Sequence, residues 1–306
     1  MNNDKYMRRC LELAKKGKGY VAPNPMVGAV IIHKGKIVGE GYHRKWGEAH
    51  AEVNAIRSVR QPELLKKSTL YVNLEPCSHF GKTPPCVNLI IEKQIPQIVI
   101  GMTDPFPQVS GKGIQILREA GMEVITDVLK AECEDLNKNF ITFVNKKRPY
   151  IILKFAQSAD GYMDKVREIN DRQIPVKFSD GFMQVLVHKM RAEESAIMVG
   201  SRTLELDKPQ LNVRYWQGND PVRIKAESAK PLAELMNELY KQNIQSLIVE
   251  GGAKLIQSFV NENLWDEARI EVSALKLNEG VKAPLISGTL QSVQKCENSS
   301  ILVFKP

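Results

Sequence analysis

The chain has 306 residues, 43% hydrophobic and 25% charged, with 43 Lys and Arg against 35 Asp and Glu for a formal charge of +8. This is the composition of an ordinary globular protein long enough for two cores, and it holds no run of about eighteen apolar residues to span a bilayer. The positive balance admits a nucleic-acid partner, but the basic residues are scattered, as in Lys15-Lys16, Lys66-Lys67 and Lys146-Lys147-Arg148, a pattern that suits a solvated surface and phosphorylated small molecules.

Met1 to Asp4 leads straight into a helical pattern with Met7, Cys10, Leu11 and Ala14 on one face, with no secretory apolar core. Strand-like runs at 27–33 and 36–42 flank Lys34-Gly35 and read as a hairpin. A helix at 51–60, a strand at 69–74, a helix at 87–93, a strand at 97–101, a helix at 113–120, a strand at 123–126 and a helix at 130–143 follow. This alternation predicts α/β layers around a mixed sheet. The polar run Asn145-Lys146-Lys147-Arg148-Pro149 is the best boundary, giving domains 1–145 and 146–306. The second alternates strands at 150–156, 196–200, 246–249 and 268–273 with helices at 181–192, 231–242 and 253–261.

His50-Ala51-Glu52, Pro76-Cys77 and Pro85-Cys86, with eight residues between the cysteines, carry the strongest chemical signal. Two thiolates and one imidazole make a three-donor zinc site that leaves a position open for water. Glu52, not a ligand, can move a proton from that water to a departing amine. His50 and Glu52, two residues apart, share a site only near a helix start. Cys86 is expected at a helix N-terminus, where a thiolate is favoured. The plain alternative makes the cysteines small core residues and His50 a surface group. Five cysteines in all, an odd number, agree with a reducing compartment, so a cytoplasmic location is expected.

Pro23-Asn24-Pro25-Met26-Val27-Gly28, Gly41-Tyr42-His43, His50-Ala51-Glu52, Glu75-Pro76-Cys77-Ser78-His79, Gly81-Lys82-Thr83-Pro84-Pro85-Cys86 and Asp104-Pro105 closely resemble the deaminase half of the bifunctional riboflavin-biosynthesis deaminase-reductase family, commonly called RibD. The resemblance implies a cytidine-deaminase-like domain acting on a diaminopyrimidinone that carries a ribosylamino 5′-phosphate. It implies substrate contacts for Asn24, His43, Lys82 and Asp104, where Asn24 can read a pyrimidine edge with both donor and acceptor and Lys82 can meet a phosphate.

Lys154 to Gly161, Arg191-Ala192, Val199 to Thr203, Asp207 to Arg214, Pro221-Val222-Arg223 and Val249 to Gly252 look like the reductase half of the same family, similar in fold to dihydrofolate reductase and dependent on NADPH. The resemblance implies cofactor contacts for Ala156, Thr203, Asp207, Gly251 and Gly252, and substrate contacts for Arg191, Leu211, Arg214 and Glu250. Guanidinium forks suit a phosphate, and Lys154 and Asp160, at the end of the domain's first strand, are placed to act on the sugar oxygen during hydride delivery. The expected partners are therefore a phosphorylated pyrimidine, zinc and NADPH, with no nucleic acid or membrane, in a homo-oligomer.

The chain departs from the family twice. Lys165 to Arg172, and then Phe178-Ser179, replace the usual flap sequence. Pro221 to Lys225 runs almost directly into Ala226 to Pro231, where the family has several tens more residues including strands. Either the reductase domain is shortened after residue 225 or a stretch of the natural chain is absent. Other readings are a tRNA-type zinc deaminase with an accessory domain, a deaminase with an inactive reductase domain, and a metal-stapled binding module. Aromatics, at 7%, do not interleave with the basic runs as stacking on single strands requires. A structural zinc site wants a fourth ligand, and no residue at suitable spacing offers one.

Overall fold

Alternation along the central strands builds both halves of the protein. The computed structural model describes residues 3–79, 84–106, 110–168, 174–226 and 230–306. The chain divides into two compact units, Met1–Lys146 and Lys147–Pro306.

In the first unit α1 (Asn3–Lys15) leads to β1 (Gly28–His33), β2 (Lys36–Tyr42) and α2 (Ala51–Ser58), and a short 3-10 turn at Pro62–Lys67 follows. Then come β3 (Thr69–Val72), α3 (Cys86–Glu92), β4 (Gln97–Ile100), α4 (Lys112–Glu119), β5 (Glu123–Ile125), α5 (Lys130–Leu136) and α6 (Lys138–Lys146). The sheet order is β2-β1-β3-β4-β5. The β1 strand is antiparallel to both β2 and β3, while β3, β4 and β5 are parallel. Ala29, Ile31, Leu70, Val72, Ile98 and Ile100 face one way, onto α2, α3 and α4. Val30, Ile32, Tyr71 and Val99 face the other, onto α1 and α5. A period of two thus buries both faces and yields three layers. Gly28 is required where α1 crosses β1, because a Cβ there would lie 2.1 Å from the Cys10 carbonyl oxygen.

The helix expected over 130–143 is instead two helices meeting at Asn137, whose backbone leaves helical geometry at φ −101, ψ 19. The break turns its side chain onto Met26, accepting from the Met26 N–H at 2.8 Å and donating to its carbonyl at 3.0 Å. Side-chain bonding to a distant backbone here overrides helix periodicity.

In the second unit β6 (Tyr150–Gln157) and β7 (Tyr162–Asp164) precede α7 (Gly181–Glu193), β8 (Ala196–Gly200), α8 (Ser201–Asp207) and β9 (Val222–Ala226). They are followed by α9 (Leu232–Lys241), β10 (Ser246–Glu250), α10 (Ala253–Asn261), β11 (Glu267–Ser273), β12 (Val281–Lys282), β13 (Thr289–Lys295) and β14 (Ser299–Lys305). The main sheet runs β13-β14-β11-β6-β10-β8-β9, and β12 pairs with β7 separately. Strands β11, β6, β10, β8 and β9 are parallel, and β14 and β13 add antiparallel. Ile151, Leu153, Phe155, Leu247 and Val249 pack against α9 and α10. Ile152, Ile248, Ile197 and Val199 pack on the opposite face with Met190 of α7 and with Leu211. Among the described residues no helix is long and apolar enough to cross a membrane.

Candidate functional site

Strand direction gathers the first site. Because β1 is antiparallel to β3 and β2, the segment entering β1, the residues leaving β2 and those leaving β3 reach one edge of the sheet, as the Gly28↔Tyr42 and Ala29↔Val72 pairs show. The parallel strands β3 and β4 end there too, the usual place for a site in such sheets.

His50 caps α2 in extended geometry, Glu52 sits in that helix's first turn, and Cys86 opens α3. His50 Nδ1 lies 3.5 Å from Cys77 Sγ and 3.3 Å from Cys86 Sγ. All three donor atoms fall within 4.8 Å of one another. A tetrahedral zinc with ordinary bond lengths spaces such donors about 3.6 to 3.8 Å apart, so the set fits zinc with only slight opening. The Cys86 N–H donates to Cys77 Sγ at 3.3 Å, which favours thiolate there. The Cys86 thiol, and then His50, draw the Cys77 thiol well below its usual range, outweighing burial. Glu52 is 3% exposed. Burial, and then the charge of Cys77, push its carboxyl up to about 7.

His43 and Asn24 meet beside this cluster. The His43 and His50 rings are 5.4 Å apart, edge to face. His43 Nδ1 faces the Ala49 carbonyl at 3.2 Å, and Nε2 faces Asn24 Nδ2 at 3.1 Å. A carbonyl only accepts, so Nδ1 carries the proton and Nε2 accepts from the Asn24 amide. Burial lowers the His43 pKa and keeps that tautomer neutral. Asp104 follows β4. Its Oδ1 accepts from the Phe106 N–H at 2.8 Å, and burial raises its pKa. Lys82 lies outside the described residues.

Three polar residues that hold this edge were not singled out in the sequence. Glu75, 4% exposed, accepts from the backbone N–H groups of Asp104, Gly111, Gly113 and Ile114. Asn73 accepts from Gly28 N–H at 2.7 Å and donates to the Met26 carbonyl at 3.0 Å, and Asn137 grips Met26 from the other side. For Asn73, its place directly after a fully buried strand was the available signal, since such a polar group needs a partner.

In the second unit a cleft of about 1040 Å³ opens at the C-terminal ends of β8 and β10. Lys154, Ala156, Arg191, Thr203, Asp207, Leu211, Glu250, Gly251 and Gly252, all expected in the second site, line it. Register explains its charged centre: Glu250 stands directly opposite Lys154. Both even-numbered side chains share the α7 face, where Arg191 lies. Lys154 Nζ donates to Glu250 Oε1 at 2.9 Å and Arg191 Nη2 to Oε2 at 2.6 Å. Burial alone would raise the Glu250 pKa; Lys154 and then Arg191 outweigh it and hold the carboxyl at about 2. Arg191 Nε is buried with no partner among the described residues, a donor left for a ligand.

Gly251 and Gly252 take φ +86 and +72 at the start of α10. Added Cβ atoms would lie 3.2 and 3.3 Å from Thr203, so the backbone must stay bare. With the free first-turn amides of the nine-residue α10, this forms a cradle that fits a cofactor phosphate.

Two expected residues do not line the cleft. Asp160 is exposed and accepts from the N–H groups of Leu277 and Asn278 at 3.1 and 2.7 Å; it braces a turn. Arg214 is also exposed, bonded to Gln210 and to Asn212 Oδ1. The Asn212 carbonyl accepts from Arg191 Nη1 at 3.3 Å, so both guanidinium groups converge on Asn212.

The cytidine and deoxycytidylate deaminase zinc-binding region matches residues 1–102. The RibD C-terminal domain matches 149–230 and 229–304, two pieces that meet just after β9. The riboflavin biosynthesis protein RibD of Aquifex aeolicus is 37% identical over 90% of this chain and 88% of its own. That of Escherichia coli is 32% identical over 100% and 96%. The crystal structure of a diaminohydroxyphosphoribosylaminopyrimidine deaminase/5-amino-6-(5-phosphoribosylamino)uracil reductase from Thermotoga maritima superposes with a TM-score of 0.89 at 34% identity, covering 99% of this chain and 98% of its own. With relatives matched almost end to end and both halves recognised, the chain belongs to the RibD family of riboflavin biosynthesis proteins.

Proposed function

We propose that the chain is a two-site enzyme. It deaminates 2,5-diamino-6-ribosylamino-4(3H)-pyrimidinone 5′-phosphate and then reduces the ribosyl chain of the product to ribityl with NADPH. The observation that carries the reading is the convergence of His50, Cys77 and Cys86 beside a buried, non-ligating Glu52. His50, Cys77 and Cys86 would hold zinc there, and the ion would supply a water made acidic enough to attack the ring carbon bearing the amine. Glu52 would take one proton of the attacking water and pass it to the departing nitrogen, the other water proton going to the ring nitrogen, so that amidine and water become ring amide and ammonia. Asn24 spends one amide N–H on His43 and keeps a second N–H and its carbonyl for the pyrimidine edge. Asp104 completes that pocket in this reading.

In the second site NADPH supplies the hydride. Thr203, Gly251 and Gly252 cradle its phosphates, with Ala156 and Asp207 on the same wall. Lys154, oriented by Glu250, serves the sugar oxygen. Arg191, Leu211 and Arg214 hold the substrate's ribose phosphate, and the unspent Arg191 Nε–H supports that role. Asp160 acts only by bracing its turn. In this reading the domains divide between residues 145 and 146, the reductase domain is shortened after residue 225, and the enzyme is cytoplasmic and homo-oligomeric. Five free thiols, two of them zinc donors, suit a reducing compartment.

The test is incubation of the purified chain with the diaminopyrimidinone nucleotide, with and without NADPH, following ammonia and cofactor absorbance separately. Ammonia appears in both; NADPH is consumed only with the nucleotide present. Ammonia without NADPH consumption would leave a deaminase with an inactive second domain. Arg214→Ala is expected to lower kcat/KM for reduction by about tenfold or more with ammonia release unchanged. If both fell together, the division into two sites would fail.

Asn137→Ala removes two bonds to Met26 and is expected to cost about 1–3 kcal/mol of stability. Because Met26 lies two residues from Asn24, KM for the pyrimidine rises while kcat changes little. Denaturant melts and steady-state deamination check both, and an unchanged KM would count against this positioning of Asn24.

A further inference from the structure

Asp164, at the end of β7, and Asp207, at the end of α8, come from separate parts of the second unit, and one guanidinium joins them. Arg167 Nε donates to Asp164 Oδ2 at 2.7 Å and its Nη2 to Asp207 Oδ1 at 2.6 Å. That side chain is 6% exposed, low for an arginine in a segment without regular structure. Arg202 of α8 donates to the Arg167 carbonyl at 2.9 Å, so α8 grips the same residue twice. The other oxygen of Asp164 accepts from the N–H groups of Lys165 at 2.9 Å and Val176 at 3.0 Å. One carboxylate therefore holds the chain both entering and leaving this segment. Val166, Arg167, Pro175 and Val176 line the same cleft as Thr203 and Gly251. This is the stretch whose sequence departs from the family flap.

We propose that Arg167 is a positioning residue for the reductase reaction: by bridging Asp164 to Asp207 it fixes Val166 and Arg167, and through Asp164 also Val176, as part of one wall of the cofactor cleft. The inference rests on reading that cleft as the NADPH site. Nε and Nη2 of the guanidinium are spent on carboxylates, and it is through the wall they hold that Arg167 acts. Its loss leaves two carboxylates facing each other with no cation between them, an arrangement that opens.

The test uses the full chain. NADPH and NADH are titrated by fluorescence against wild type, Arg167→Ala and Arg167→Lys, and each protein without cofactor is exposed to limited proteolysis. Arg167→Ala is expected to raise Kd for both nucleotides by the same factor, about tenfold, to speed tryptic cleavage after Lys165 and Lys177, and to leave ammonia release unchanged. Arg167→Lys, which keeps the charge and a bond to one aspartate, recovers part of both effects. Unchanged cleavage overturns the proposal. So does a loss confined to NADPH, which would mark direct contact with the extra phosphate. If wild type bound no NADPH, the cofactor reading would fall, and the cleavage rates would still decide what Arg167 does.

Discussion

Replacing Glu52 by Gln lowers the rate of ammonia release by about 10²–10⁴-fold while zinc content stays at the wild-type level. The amide has nearly the same volume, so the start of α2 and the ligand His50 keep their places, and the three donors are untouched. What is lost is a group able to accept a proton from water and deliver it to nitrogen. Among the described residues, the titratable neighbours His43 and Asp104 are already engaged: His43 through both ring nitrogens with Ala49 and Asn24, and Asp104 with the Phe106 backbone. Metal analysis of the purified variant together with single-turnover ammonia release measures both quantities. Deamination at the wild-type rate would remove the carboxylate from the mechanism. Reduction, assayed with the deaminated product supplied directly, is expected to be unchanged, because Glu52 belongs to the first unit and the cleft proposed for NADPH is built from the second.

The first site was legible in the sequence because its donors are chemically rare and lie in short motifs at strand and helix ends. His50-Ala51-Glu52 and the two Pro-Cys pairs announce a metal by residue type alone, and short, nearly continuous apolar runs such as 28–33 and 69–72, buried on both faces, announce the sheet. The pins beneath the site were not legible. Asn73, Glu75 and Asn137 are ordinary polar residues whose role depends on long-range pairing, such as Asn137 to Met26 across 111 positions. The same holds in the second unit. The Lys154-Glu250-Arg191 triad is set by parallel register between β6 and β10, which no local pattern encodes. Strands β13 and β14 escaped notice too: every residue of β13 is exposed, so no buried face imposes the alternation that marks a strand. Asp160 was misjudged for a related reason. It follows a buried strand, but Gly161 takes φ +85, and the carboxylate ends on the Leu277 and Asn278 amides instead of entering the cleft.

Glu250→Gln is expected to disable reduction and to weaken the second unit in a way that pH reports. In the folded protein this carboxyl sits at about 2, below its ordinary 4.5, because two cations outweigh the cost of burial. A depressed carboxyl contributes stability that is fully present above the unfolded pKa and is lost as pH falls through the folded one. The contribution is about 3 kcal/mol at neutral pH and decays between 4.5 and 2. Denaturant melts at neutral pH should therefore show the variant less stable by about that amount, with the gap narrowing as pH drops below about 4.5. A gap independent of pH would mean that the charge on Glu250 contributes nothing. Catalysis suffers separately. Lys154 and Arg191, each bonded to one carboxylate oxygen, lose the group that fixes their separation, and a displacement of about 1 Å is enough to cost about 10²-fold in reduction. Ammonia release by the same variant stays at the wild-type rate, which distinguishes a local failure of the second site from unfolding of the whole chain.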